Sequence, residues 1–293
     1  MLGMGIVMIK FGPSGNSDSF YEQGYKSSSQ MPAWLAGMGL DAYEYSCTKG
    51  VNVGEATATE IGRQAKDNNI SLSIHAPYYI NMSSEEEEKR ENSKRYILET
   101  LRVAKWMDAK RIVVHTGSCS KVGRETALKY ALQILQETLE LSDAAGYGDV
   151  HICPEVLGKH NQLGTIEEVM EMCKVDERII PTIDFGHVHA RGLGRLNSEE
   201  DFAAVIDIIE NSIGKERARN IHCHFSRIEF SKGGEKRHWN FSDRQFGPEF
   251  EHLAPILVKR KMEPVIICES RGMMAEDALE MKKLYIQARE KYE

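Results

Sequence analysis

Eight short runs rich in β-branched and other apolar residues alternate with eight longer helical patterns, and this alternation restricts the fold more than any other feature of the chain. Strands are predicted near 5–11, 41–46, 71–75, 111–115, 150–155, 179–184, 219–224 and 264–269. Helices are predicted near 30–38, 55–69, 87–108, 123–145, 165–174, 198–213, 247–260 and 274–291. Repeated strand–helix units of this kind build parallel sheets, and eight of each close an α/β (β/α)8 TIM barrel as a single domain over 1–293. The strands are apolar almost throughout, as expected where a barrel buries both faces of its sheet.

Local chemistry marks several boundaries. Ser83-Ser84 before the Glu85–Glu88 run reads as a helix start with acid in the first turn. Thr165-Ile166-Glu167-Glu168 has the form of a capping box, Ser198-Glu199-Glu200-Asp201 is similar, and Gly146 and Gly148 close the preceding helix. In the third long helix Tyr96, Leu98, Leu101, Ala104 and Trp106 give an apolar spacing of three and four. The longest irregular stretch, 225–246, follows the seventh strand, where a loop of that length is usually functional.

Apolar residues at 41% and charged residues at 28% exclude a disordered or fibrous chain, and 293 residues suffice for a sizeable core. A formal net charge of −7 argues against broad adhesion to nucleic acid or anionic membrane, though not against a local basic groove. No apolar run approaches the roughly 18 residues of a membrane span. The opening MLGMGIVMIKF reads as a buried strand rather than a signal peptide, so a cytoplasmic protein is expected. The cysteines form no CxxC motif and are expected to be reduced, buried small hydrophobes.

Seven of the eight strands carry a residue of metal-ligand type. His75 follows SLSI, His115 follows RIVV, Glu155 follows HICP, Asp184 follows IIPTI, His222 follows RNI, Glu269 follows PVIIC, and AYEYSC carries Glu44. A barrel gathers such positions at its C-terminal mouth. Any one alone reads as a hydrogen-bonded rim residue, whereas their recurrence points to cations that compensate crowded carboxylates and imidazoles. Glu155, Asp184, His222 and Glu269 are expected on one side of the mouth around one ion. His75 and His115 would face a second, with Glu155 as bridge, while His187 and His238 reach toward a third. Zinc, manganese and iron all accept this donor set.

In order, the segments HAPYYIN at 75–81, VVHTGS at 113–118, CPEVLG at 153–158, TIDFGHVHA at 182–190, NIHCHFS at 220–226, KRHW at 236–239 and ICES at 268–270 resemble the endonuclease IV family of abasic-site endonucleases, within the xylose-isomerase-like barrels. The resemblance spans essentially the whole chain. It implies His75 and His115 on one zinc, Glu155 as bridge, Asp184, His222 and Glu269 on the next, and His187 and His238 on a third. Where the family has an aspartate two residues before its loop histidine this chain has Lys236, so Glu235 is the substitute third ligand. Phe185 after the aspartate, and His224 and Phe225 after His222, also depart from the family pattern. Tyr78 and Asn81 match the loop that enters the minor groove at the lesion; the bland reading of Tyr78 is packing on the rim. Arg227, Lys232, Lys236, Arg237 and Arg244, beside Phe225, Phe230, Trp239 and Phe241, give the seventh loop a basic and aromatic cast suited to phosphate, diluted by Glu229, Glu235 and Asp243.

The activity so implied is hydrolysis of duplex DNA 5′ to an abasic site in base excision repair. Two or three zinc ions would serve it, Glu155 and Glu269 would be catalytic, the third ion or Lys236 in its stead would neutralise charge on the leaving oxygen, and Tyr78, Asn81, Lys236 and Arg237 would bind substrate. The rival is a sugar isomerase or epimerase holding a single ion, with manganese as the alternative metal and Glu155 and Glu269 as proton shuttles. A barrel that binds without catalysis is the third reading.

Overall fold

A computed structural model describes residues 9–293. Strand β1 (Lys10–Pro13) runs through α1 (Asp18–Glu22) and a 3-10 turn at Ser28–Gln30 into α2 (Met31–Met38). The next units are β2 (Ala42–Ser46) with α3 (Glu55–Asp67), β3 (Ser71–His75) with α4 (Glu87–Met107), and β4 (Arg111–Val114) with α5 (Arg124–Ala144). They continue as β5 (His151–Pro154) with α6 (Ile166–Cys173), then β6 (Thr182–Asp184) with α7 (Phe185–Arg191), α8 (Glu199–Ile213) and α9 (Lys215–Arg219). After β7 (His222–Phe225) comes a hairpin, β8 (Arg227–Ser231) and β9 (Gly234–Trp239), followed by α10 (Phe250–Lys259), β10 (Val265–Cys268) and α11 (Met274–Tyr292).

Two parallel sheets, ordered β1-β10-β7-β6 and β2-β3-β4-β5, are joined by parallel bridges Ser14 to Glu44 and Glu155 to Thr182. Those two bridges close the TIM barrel. At the first seam the backbones nearly touch: a Cβ on Gly12 would lie 1.8 Å from the Ala42 carbonyl oxygen, so only glycine fits there. The strand expected over 5–11 is described only from residue 9, and it continues to Pro13; residues 5–8 of that expectation lie outside the described residues.

The predicted caps divide. Thr165 accepts from the Glu168 amide while the Glu168 carboxylate accepts from Thr165 N, a complete capping box, and Ser198 accepts from Asp201 N. Gly146, at φ +77°, follows the end of α5 as a left-handed stop. In contrast, α4 starts at Glu87 with no side-chain cap, because Ser84 Oγ is taken by the Glu86 amide in the preceding turn. The buried face of α4 is Ile97, Leu101, Ala104 and Met107, and Tyr96, Leu98 and Trp106 flank it half-buried. All six cysteines are buried and unpaired.

Two further corrections bear on function. The 225–246 stretch is not irregular throughout, since residues 227–239 form an antiparallel hairpin turned at Lys232-Gly233. Its apolar Ile228 and Phe230 alternate with polar residues, but the charge mixture along it hides that period. Helix α7 was not anticipated either; it begins directly after β6 because Asp184 caps it, Oδ1 accepting from His187 N at 2.8 Å. Among the described residues no helix is long and apolar enough to cross a membrane.

Candidate metal centre at the barrel mouth

Strand register sorts the inward-pointing groups into layers. Asp184 pairs with His224 across β6 and β7, and Thr182 pairs with His222. Glu44 pairs with Ser73 across β2 and β3, and Ser46 with His75. Side chains two residues apart on a strand share a face, so Glu44, Ser73 and His222 occupy a layer beneath His75, His224 and Asp184. His115 and Glu155 immediately follow β4 and β5.

In the upper layer Glu155, Asp184, His224 and Glu269 present ligand atoms that lie within 4.8 Å of one another. His224 Nδ1 lies 3.1 Å from Glu155 Oε1 and 3.5 Å from Glu269 Oε1. On the other flank, Glu155 Oε2 faces His115 Nε2 at 3.1 Å and His75 Nε2 at 3.5 Å. Each of these histidines turns its Nδ1 to a carbonyl, His75 to Ala76 at 2.8 Å and His115 to Tyr78 at 3.2 Å. A carbonyl can only accept, so both rings carry a proton on Nδ1, and Nε2 is the atom each turns toward the mouth, where a metal would take it in place of a proton.

Burial raises the cost of charge here, and neighbouring opposite charge decides the outcome. Against burial, His115, His224 and His75 hold the Glu155 carboxyl well below the usual range, and His224 takes Glu269 down to about 2. Burial lifts Asp184 to about 6 despite His187. His75 and His187 rise to about 9, because Glu155 and Asp184 respectively outweigh desolvation. Glu155 Oε2 and Asp184 Oδ2 are fully buried yet have no hydrogen-bond partner among the described residues. Buried carboxylate oxygens without a hydrogen-bond partner, set beside imidazole nitrogens, fit a divalent cation of the zinc or manganese type.

In this group the structure has His224 where the sequence predicts His222; His222 gathers instead with Glu44 and His224, whose ligand atoms also lie within 4.8 Å of one another. His222 is fully buried one layer down, its Nε2 3.0 Å from Glu44 Oε2, and burial lowers it to about 4. His224 takes the place expected for His222, because β7 extends to Phe225 and its mouth residue is therefore two positions later. The signal was present as the alternation His222-Cys223-His224, which puts both rings inside the barrel.

A third group gathers His187, Glu235 and His238. His187 Nε2 is 3.4 Å from Glu235 Oε2, and its Nδ1 approaches the Val156 carbonyl at 3.0 Å and Asp184 Oδ2 at 3.1 Å. His238 Nε2 is 4.0 Å from Glu235 Oε1, and its Nδ1 pairs with Ser226 Oγ at 2.7 Å. The hairpin delivers Glu235 and His238 to α7, pinned on the β5–α6 loop by Glu235 N to the Gly158 carbonyl. Gly158 permits this approach: a Cβ there would lie 2.6 Å from Glu235 Cβ and 2.9 Å from His187 Cδ2.

Of the residues predicted to meet substrate, Tyr78 is 60% exposed and not packed on the rim. The Asn81 side-chain oxygen instead holds the loop, accepting from Ser118 N at 3.0 Å and Ser83 Oγ at 3.1 Å. Lys236 pairs with Glu229, and Arg237 lies over the Trp239 ring. Both line a cleft of about 420 Å³ with Glu235, His238, Glu269 and Arg271. Arg227 and Phe225 leave the basic and aromatic cast: Arg227 is buried, fastening the Asp243 and Phe246 carbonyls and Glu249, and Phe225 packs on Phe250.

A family profile described as the xylose isomerase-like TIM barrel matches residues 32–288. The chain belongs to this family. An uncharacterized protein of Methanocaldococcus jannaschii is 34% identical over 251 residues, 86% of this chain and 89% of that one. A probable endonuclease 4 of Mycoplasma pneumoniae is 25% identical over 210 residues, 69% of each chain. Among solved structures, a D-tagatose 3-epimerase-like protein superposes with a TM-score of 0.73 at 20% identity, covering 97% of this chain and 99% of that chain. Endonuclease IV of Thermus thermophilus gives 0.70 at 18% identity, covering 96% and 99%. The fold is thus shared with an endonuclease IV and with a D-tagatose 3-epimerase-like protein.

Proposed function

We propose that this protein is a metal-dependent phosphodiester hydrolase that cleaves DNA 5′ to abasic sites. The observation that carries the reading is the continuity of three ligand groups across the mouth. Glu155 belongs to both the His75 and Asp184 groups, and His187 adjoins both Asp184 and Glu235. Two or three divalent ions held there, zinc above all, would supply Lewis acidity toward a phosphoryl oxygen and acidify water. Glu155, kept ionised by its imidazole neighbours, can hold a proton of the attacking water at Oε2. Lys236, Arg237 and Arg271 in the cleft can meet phosphate oxygens, and Tyr78 at the rim can stack in the gap left by a displaced abasic sugar. Such a sugar leaves the duplex at low cost because it has no base to unstack.

A single-ion sugar isomerase or epimerase is supported by one feature: the group of Glu155, Asp184, His224 and Glu269 is complete without the flanking histidines. Glu155 and Glu269 would then move the proton at the carbon beside a polarised oxygen. Metal analysis of protein purified without chelator separates the two readings, with two or three zinc equivalents expected and one manganese favouring the epimerase. Metal-dependent nicking of a duplex with one tetrahydrofuran abasic analogue is the companion test. No nicking, together with turnover of a ketose, overturns the nuclease reading.

A further inference from the structure

Beneath the mouth lies a group that the proposed chemistry does not use. Glu44 on β2 and His222 and His224 on β7 present ligand atoms within 4.8 Å of one another, and all three side chains are fully buried inside the barrel. Glu44 Oε2 is accounted for by hydrogen bonds, accepting from Ser73 Oγ at 2.8 Å and from His222 Nε2 at 3.0 Å. The other half of the group is not. Glu44 Oε1 and His224 Nε2 stand 3.0 Å apart, yet neither makes a hydrogen bond among the described residues, and His222 Nδ1 also lacks a partner. The His224 ring makes its hydrogen bond on the opposite side, Nδ1 to Glu155 Oε1 at 3.1 Å.

We infer that Glu44, His222 and His224 hold a further divalent cation of the zinc class, one layer below the ions proposed at the mouth. Ligand atoms bound at about 2.0–2.2 Å to one ion lie about 3.0–3.4 Å from each other, and they aim at the ion rather than at one another. Glu44 Oε1 and His224 Nε2 stand in that relation, at contact distance without hydrogen-bond direction. Buried polar atoms in such a state are costly, and a cation between them removes the cost. An ionised carboxylate only accepts, so the His224 proton sits on Nδ1 toward Glu155, and Nε2 is the nitrogen left for the ion. At His222 the ion takes the place of the proton on Nε2, which moves to Nδ1. Two imidazole nitrogens and the two oxygens of Glu44 make four donors, the number of a structural zinc site. The ion would tie β2 to β7, strands of different sheets, across the barrel interior. Because no donor reaches solvent, its role is structural, and it is distinct from exchangeable ions at the mouth.

This site does not depend on which reaction the mouth performs, and the two are tested apart. Full-length wild type is refolded from urea with zinc, treated in the native state with excess chelator, and assayed for the metal released on unfolding. One retained equivalent is expected in wild type and in His75→Gln, and its loss is expected in Glu44→Gln and His222→Gln. No retained zinc in wild type overturns the inference, as does retention in either of the last two variants. Should those variants not fold, anomalous diffraction at the zinc edge from loaded wild-type crystals decides: a peak bounded by Glu44, His222 and His224 is expected, and its absence refutes the site. A wild type with the retained equivalent but no exchangeable zinc upholds this site and defeats the metal reading of the mouth instead.

Discussion

Glu155 joins the two flanks of the centre, and its removal is the most informative single change. Glu155→Gln keeps the shape and relieves carboxylate crowding near Glu269, so the fold is expected to persist while abasic-site nicking falls by about three orders of magnitude. Retained nicking under saturating metal would remove Glu155 from the reaction. A second residue-scale effect lies off the centre, at His189. Burial lowers this imidazole to about 4, and in its neutral form Nδ1 accepts from Leu196 N at 3.2 Å. Because its folded value lies below an unfolded value of about 6.5, stability is full above pH 6.5 and is lost as pH falls toward 4, by up to about 3 kcal/mol. Urea unfolding of wild type and His189→Leu checks this, the difference between them shrinking across that window. At this scale the residue types at the mouth were legible in the chain, but the choice of His224 over His222 was not. Both rings point inward, and only pairing with Asp184 sets which one is level with the ligands.

The element that most alters the reading is the β8–β9 hairpin. It brings Glu235, rather than Lys236, to His187, so the replacement of the family's aspartate is met by a shift in which hairpin residue faces inward. The contact depends on Gly158, and Gly158→Ala is expected to push Glu235 and His187 apart. Overpacking there costs about 1–3 kcal/mol, and the metal count should fall by one with the His75 and His224 groups intact. Elemental analysis beside a melting curve measures both, and an undiminished count would detach Glu235 from any third ion. Capping is a milder example of element-level control. Thr165→Ala, which removes a complete box at the start of α6, is expected to cost about 1 kcal/mol in urea unfolding. The box was visible as a four-residue pattern because it is local. The hairpin was not, since its register is held by the distant β5–α6 loop.

Over the whole molecule, closure of eight strands compresses carboxylates and imidazoles into one mouth, and metal binding should therefore stabilise the fold measurably. Chelation is expected to lower the melting temperature, and zinc at about 100 times its dissociation constant restores about 2.7 kcal/mol per site. Insensitivity of calorimetric melting to chelator would argue that the clusters are empty in solution. On the proposed nuclease reading, and with a formal net charge of −7, DNA affinity would come from local contacts at the cleft. It should still fall steeply with salt, which a filter-binding titration reads. The alternation of strand and helix, the apolar strands and the ligand-type residue on seven of the eight strands are properties of short segments, and the chain by itself determined them. Which of two inward rings joins the Glu155, Asp184 and Glu269 group, which hairpin residue reaches His187, and what lies under His224 depend on register between strands far apart in sequence. A shift of two residues along a strand moves a side chain a full layer with no change in local pattern, so only closure of the barrel decided them.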